Sequence, residues 1–172
     1  LVRTIRLIGE YKGQEQLYAR QSPQVLQTLL DAAIYESTES SNRIEGVTAP
    51  PPRVRALVAQ NTTPQNRSEQ EIAGYRHVLG TIHAHHAGMR LSPNLVLQFH
   101  RDLFQFTPGG GGVWKHADNE ITERRADGTT VVRFRAVPAH LTPGAIETLH
   151  DGLARALDAG HVDPLLVVPA YV

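Results

Sequence analysis

Ser41 and Glu45 stand four residues apart in the run Ser40-Ser41-Asn42-Arg43-Ile44-Glu45-Gly46. Four residues make about one helical turn, so a helix here would set a hydroxyl and a carboxylate on one face. Gly46 suits the left-handed residue that closes a helix. A carboxylate in a last turn faces the negative end of the helix dipole, where a cation is favoured. Arg43 is two residues from Glu45 and points elsewhere. It follows Glu39 by four, the favourable acid-before-base order, and is expected to pair there. Glu45 then has two readings. It is a solvated carboxylate at a helix end, or it takes a partner from outside its own helix.

The other reactive residue types suggest less chemistry. His83, His85 and His86 cluster near a helix end. His83 and His86 have a spacing that would let them share a metal, but no Asp, Glu or Cys nearby completes a ligand set. The helix dipole also favours histidine at that end. No metal site is expected. His77, His100, His116, His140, His150 and His161 are scattered and read as structural. His100-Arg101-Asp102 matches a fragment of a kinase catalytic loop, but it lies in an amphipathic helix with no Gly-rich loop upstream. Gly109 to Gly112 lacks the Lys-Ser/Thr of a phosphate loop and leads into a strand. Trp114 and Lys115 beyond it are either a contact point for a partner or a packing feature.

The elements that must position these residues are mostly helices. Ser22-Pro23, Thr63-Pro64, Ser92-Pro93 and Thr142-Pro143 each place an N-cap residue before a proline at the first helical position. The helix from Ser22 carries Val25, Leu26, Leu29, Leu30, Ala33 and Ile34 inward and runs toward Glu45, unbroken or with a break near Ser37. The next starts at Thr63-Pro64 or at a Ser68…Glu71 capping box. It turns Ile72, Tyr75, Val78, Leu79 and Ile82 inward and ends near Gly88. The helix from Ser92 has Leu95, Val96, Phe99, Leu103 and Phe106 on one stripe. The helix from Thr142 has Ile146, Leu149, Leu153, Ala156 and Leu157, and Gly160 closes it. Val54, Leu57 and Val58 mark a shorter amphipathic piece between Pro52 and Gln60. Leu1 to Leu7 reads as a strand, and Tyr11-Lys12-Gly13 as a turn. These features predict a mainly α bundle.

One segment departs from the helical pattern. Val113–Thr122 and Thr129–Arg135 flank Ala126-Asp127-Gly128, and Asp-Gly is a strong two-residue hairpin signal. With Asp127 and Gly128 as the turn, Ile121 faces Phe134 and Glu120 faces Arg135, both favourable cross-strand pairs. The resulting flap is a decorated loop, or an edge that takes an extended peptide by strand addition. Near the end, Asp163-Pro164 starts Leu165-Leu166-Val167-Val168-Pro169-Ala170-Tyr171-Val172. This stretch is apolar nearly all round and predicts a buried element. Without a polar close, the chain is expected to stop inside that element.

Composition bounds the rest. A chain of 172 residues is one domain's worth or a little more. Its formal net charge of +0 gives no global field for nucleic acid or an acidic membrane. It has no cysteine, which removes disulfides and thiol nucleophiles and fits a cytoplasmic location. No apolar run approaches the roughly 18 residues that span a bilayer. The start, Leu-Val-Arg-Thr-Ile-Arg, is no signal peptide. It lacks an initiator Met, so the chain is expected to begin partway into its gene product.

The sequence also resembles a known family. Ser41-x-x-x-Glu45-Gly46 resembles the inhibitory motif, [Ser/Thr]-x-x-x-Glu-[Gly/Asn], of Fic-domain proteins that carry an inhibitory helix before the Fic core. The wider run Ser37 to Gly46, the run Arg67 to Tyr75, and Gly112-Val113-Trp114-Lys115 with Asp118-Asn119-Glu120-Ile121 are similar to the same group. The likeness extends over nearly the whole chain. The family signature His-Pro-Phe-x-Asp-Gly-Asn-Gly-Arg matches no stretch of it. In that family the buried helix corresponding to residues 164–172 leads directly into the signature.

The resemblance implies a Fic-like helical bundle with a β-hairpin flap. Residues 1–90 would be an N-terminal region containing the inhibitory helix, and residues 91–172 the first part of the Fic core. It implies a parent protein adenylyltransferase that moves AMP from ATP to Ser, Thr or Tyr hydroxyls. ATP and Mg²⁺ would be bound mainly by residues beyond Val172, so no catalytic residue falls in this chain, which alone would be inactive. Glu45 would pair with the last Arg of the signature, in the fork geometry that Arg also offers a γ-phosphate. Ser41 would hold the inhibitory helix in place. The flap, with Trp114, Lys115, Ile121 and Phe134, would receive the target segment. Self-modification and a homodimer are further partner expectations; membrane and nucleic acid are not expected. The alternatives are AMP removal or another nucleotide or phosphate transfer by the parent, or a non-catalytic module that binds peptides.

Overall fold

The computed structural model describes residues 2–171, so Leu1 and Val172 lie outside it, and with them the expected ending of the chain inside an element. It is mainly helical, with one two-stranded antiparallel hairpin. The order is α1 (Val2–Gln21), α2 (Pro23–Ile44), α3 (Pro51–Val58), α4 (Arg67–His85), α5 (Pro93–Leu103), β1 (Glu120–Arg124), β2 (Thr130–Arg135), α6 (Thr142–Ala159) and α7 (Pro164–Tyr171). Short 3₁₀ turns follow α4 and precede α6. The chain forms two compact units. Of the described residues, one contains 2–89 and 102–111; the other contains 90–101 and 112–171.

In the first unit, α2, α3 and α4 pack on one another, and α1 lies against α2. Val54, Leu57 and Ile72 form the core, with Tyr35, Val47, Ala49 and Val58 packed around them. The short amphipathic piece read from Val54, Leu57 and Val58 is therefore α3, and it contributes two of the three most buried apolar side chains here. The strand expected at residues 1–7 is instead, from Val2 onward, the start of α1, and the expected turn at Tyr11-Lys12-Gly13 is helix interior. A lone strand has no partner for its backbone groups, whereas a helix satisfies its own. Arg6 and Glu10 add an i,i+4 pair at 3.4 Å.

Helix α2 is unbroken through Ser37. Its buried face also differs from the expected one. Val25 and Leu29 are exposed, and the buried positions are Ile34, Thr38 and Asn42. The half that packs deepest is the polar C-terminal half, where Asn42 Nδ2 donates to the Thr38 carbonyl at 2.7 Å. Helix α4 opens at neither expected residue. Asn66 is its N-cap, and its Oδ1 accepts from the Glu69 N–H at 3.0 Å. Asparagine is as good a cap as serine, and Glu69 three residues on turns its carboxylate back to the Gln65 N–H, one residue before the cap.

In the second unit, Ser92 Oγ accepts from Leu95 N at 3.2 Å and starts α5 as predicted. Phe106, expected on its stripe, lies beyond the helix end and is exposed. The hairpin pairs Ile121 with Phe134 and Glu120 with Arg135, as predicted, but by another route. Its loop has three residues, Ala126-Asp127-Gly128. Gly128 N–H donates to Arg125 O at 3.0 Å, and Arg125 N–H to Thr129 O at 2.8 Å. Gly128 takes the left-handed conformation, φ 85°, that follows a type I turn in such loops. This shifts the inner pairs by one residue, to Thr122 with Val132. A bulge in β2 between Val132 and Phe134 shifts the outer pairs back.

Helix α6 closes on Gly160 at φ 65°, and Asp163 Oδ1 accepts from Leu165 N at 2.9 Å at the start of α7. Helix α7 packs on α6, with the Tyr171 hydroxyl hydrogen-bonded to His150 Nε2 at 3.0 Å. It is not the buried element expected from its composition. Leu165, Leu166 and Val168 are 48%, 38% and 47% exposed. A helix that is apolar all round needs cover on every side, and within this unit α6 covers one.

Candidate functional site

The end of α2 is closed by its own backbone. Gly46 sits at φ 76°. Gly46 N–H donates to Arg43 O at 3.0 Å, and Val47 N–H donates to Asn42 O at 2.8 Å. These two bonds form a complete Schellman motif, with Glu45 as the C-cap residue. The turn therefore has one defined geometry, which glycine at position 46 permits and an L side chain would strain. Arg43 pairs with Glu39 at 3.7 Å, as its spacing predicted.

Ser41 and Ser37 face α4. The Tyr75 hydroxyl donates to Ser41 Oγ at 3.0 Å, and Ser37 Oγ lies 3.2 Å from the same phenol oxygen. Ser41, Glu45 and Tyr75 line an open cleft of about 310 Å³, together with Asn42, Val47, Glu71, Leu103 and Phe104. The shared face predicted for Ser41 and Glu45 is thus the wall of a cavity. Glu45 is exposed, and no side-chain partner of its carboxylate is found among the described residues. Glu71 is held at 2.8 Å by Arg67. The ionic side chains of the cleft wall are carboxylates, and its neutral donors are hydroxyls and one amide. Such a set fits a guanidinium. It does not fit a triphosphate.

The same unit holds a part-buried ion pair that has no signature in the sequence. Arg53 Nε and Nη2 donate to Glu69 Oε1 and Oε2 at 2.9 and 2.5 Å, a bidentate fork. Gln65 N–H also donates to Glu69 Oε2, at 2.9 Å. Arg53 Nη1 reaches Thr62 Oγ1 at 2.9 Å, and Nη2 reaches the Thr63 carbonyl at 3.0 Å. Glu69 is buried. The Arg53 bond, then the Gln65 N–H, hold its carboxyl down at about 2, against the opposing effect of burial. The network ties α3, the loop before α4 and the first turn of α4 together. The Asn66-x-x-Glu69 spacing was a signal for the cap; the Arg53 partnership leaves no local signal.

The predicted flap residues lie in the second unit. Ile121 and Phe134 are directly opposed and 63% and 59% exposed. Trp114 is half-buried, and Lys115 Nζ donates to Asn119 Oδ1 at 2.6 Å. Arg133 pairs with Glu123, and Arg135 lies 3.4 Å from Glu120. His100 Nδ1 accepts from Gly112 N–H at 3.0 Å. His86 Nδ1 lies 3.2 Å from the His83 carbonyl. Among the described residues, no group of three His, Asp or Glu side chains is placed to hold a metal ion. Among the described residues, no helix is long and apolar enough to cross a membrane.

No family model matches the chain, and no curated protein matches it. Among solved structures, it is similar to the crystal structure of a Fic domain containing signaling protein from Bacteroides thetaiotaomicron VPI-5482. The TM-score is 0.69 at 21% sequence identity, over 89% of this chain and 60% of that one. The fold is Fic-like. At that identity the likeness is one of fold, and the chain spans about 60% of the length of the protein it matches.

Proposed function

We propose that this chain is the regulatory and early-core part of a protein adenylyltransferase, with Glu45 as its brake. Residues 1–90 form the N-terminal region with the inhibitory helix, and residues 91–172 the first part of the Fic core with its flap. The observation that carries the reading is the position of Glu45. A fully hydrogen-bonded helix end holds its carboxylate at the rim of a cleft, with no partner found among the described residues. A carboxylate so placed is a receptor for a cation. An arginine held there in fork geometry is withheld from a nucleotide phosphate. Ser41, tied to α4 through Tyr75, keeps this face of α2 in register.

The cleft is lined by carboxylates and hydroxyls, so ATP and Mg²⁺ are bound by other residues of the parent. The hairpin presents exposed Ile121 and Phe134 for an extended segment of the target protein. Substituting Glu45→Gly in the full-length protein is expected to raise transfer of labelled AMP, including self-modification, at least tenfold. Transfer at the wild-type level would remove the brake assignment. Faster release of AMP from a modified target, without faster addition, would reassign the parent to removal.

A further inference from the structure

Tyr75 lies inside α4, where its helix has no need of a hydroxyl. Its single phenol proton goes to Ser41, so the Ser37 hydroxyl must supply the proton of the second bond. Ser37 and Ser41 are one turn apart on α2. One side chain of α4 thus clips two successive turns of the inhibitory helix, and the clip ends four residues before Glu45.

In the last turn of α2 the buried side chain is Asn42, and the rest of the turn is open. Ile44 is 81% exposed, and Arg43 and Glu45 are exposed too. The Asn42 amide bonds the Thr38 carbonyl within the same helix, so it does not tie α2 to α4. Downstream, Val47 packs on the core of Val54, Leu57 and Ile72. Glu45 is therefore positioned by Val47 after it, and by buried Asn42 and the Tyr75 clip before it.

We propose that Tyr75 is the positioning residue of the brake and sets how tightly Glu45 is presented to the cleft. The inference rests on the reading of Glu45 as an inhibitory carboxylate. Phenylalanine keeps the ring in the cleft wall and removes both hydrogen bonds. Two measurements in the full-length protein test it. Tyr75→Phe is expected to raise basal AMP transfer roughly fivefold, the factor that accompanies loss of about one net hydrogen bond. In a Glu45→Gly background the same substitution is expected to change nothing, because the residue it positions is gone. Amide exchange of Gly46 and Val47 is expected to quicken in Tyr75→Phe.

An equal effect of Tyr75→Phe with and without Glu45 would overturn the proposal, since Tyr75 would then act on the enzyme at large. Unchanged exchange at Gly46 and Val47 would also overturn it. If Glu45→Gly leaves transfer unchanged, the brake reading fails by itself. The exchange measurement then decides whether Tyr75 holds this turn.

Discussion

The Glu69 carboxylate is nearly inaccessible, yet it stays ionised because three donors converge on it. Its folded pKa of about 2 lies below the ordinary glutamate value of 4.5. A depressed carboxylate stabilises the fold at any pH above its unfolded value, and that contribution is lost as pH falls toward the folded value. Thermal stability is therefore expected to fall between about pH 4.5 and pH 2. Glu69→Gln is expected to lower the melting temperature by several degrees near neutral pH and to flatten this acid limb. Circular dichroism melts across pH check both. An acid limb of the same depth in Glu69→Gln would mean that other carboxylates carry it.

Among elements, a contact sensitive to volume is the approach of α4 to the backbone at Leu103. A Cβ built on Gly74 would lie 1.8 Å from the Leu103 carbonyl oxygen and 2.8 Å from its carbonyl carbon. The obstacle is backbone, so no rotamer change relieves it. Gly74→Ala is expected to cost about 1–3 kcal/mol, the usual range for overpacking. It should also push Leu103 and Phe104 away from the cleft they line. A lowered denaturation midpoint with an unchanged slope is the expected reading. An unchanged midpoint would mean that this segment yields freely. The hairpin carries a different lesson at this scale. Its outer register was predicted correctly from a two-residue turn that does not form. A three-residue loop and a bulge of one residue offset each other, so Ile121 still meets Phe134.

At the scale of the whole molecule, the second unit exposes an apolar pair on its hairpin. Ile121 and Phe134 face each other across the hairpin yet stay largely exposed, and a formal net charge of zero leaves contact rather than field to recruit a partner. Replacing both with serine is expected to leave stability within about 0.5 kcal/mol, as for other exposed positions. If the parent transfers AMP as proposed, labelling of its most strongly labelled target by the full-length protein is expected to drop roughly tenfold, as when an interface anchor is lost. Unchanged labelling would remove the flap from target docking.

The sequence by itself determined the features that arise within one or two turns of chain. These are the helix starts at Ser22, Ser92 and Asp163, the glycine closures at Gly46 and Gly160, the Glu39–Arg43 pair, and the face shared by Ser41 and Glu45. Each is decided by neighbours within about four residues, whose geometry a helix dictates. Tertiary structure decided what those faces meet. It turned residues 2–7 from an expected strand into helix, and moved the start of α4 to Asn66. It buried Thr38 and Asn42 in place of Val25 and Leu29. It brought Tyr75 to two serines more than thirty residues away and Arg53 to Glu69. Such pairings depend on how helices pack, and packing is selected by the summed burial of many side chains. No local pattern in the chain encodes that sum.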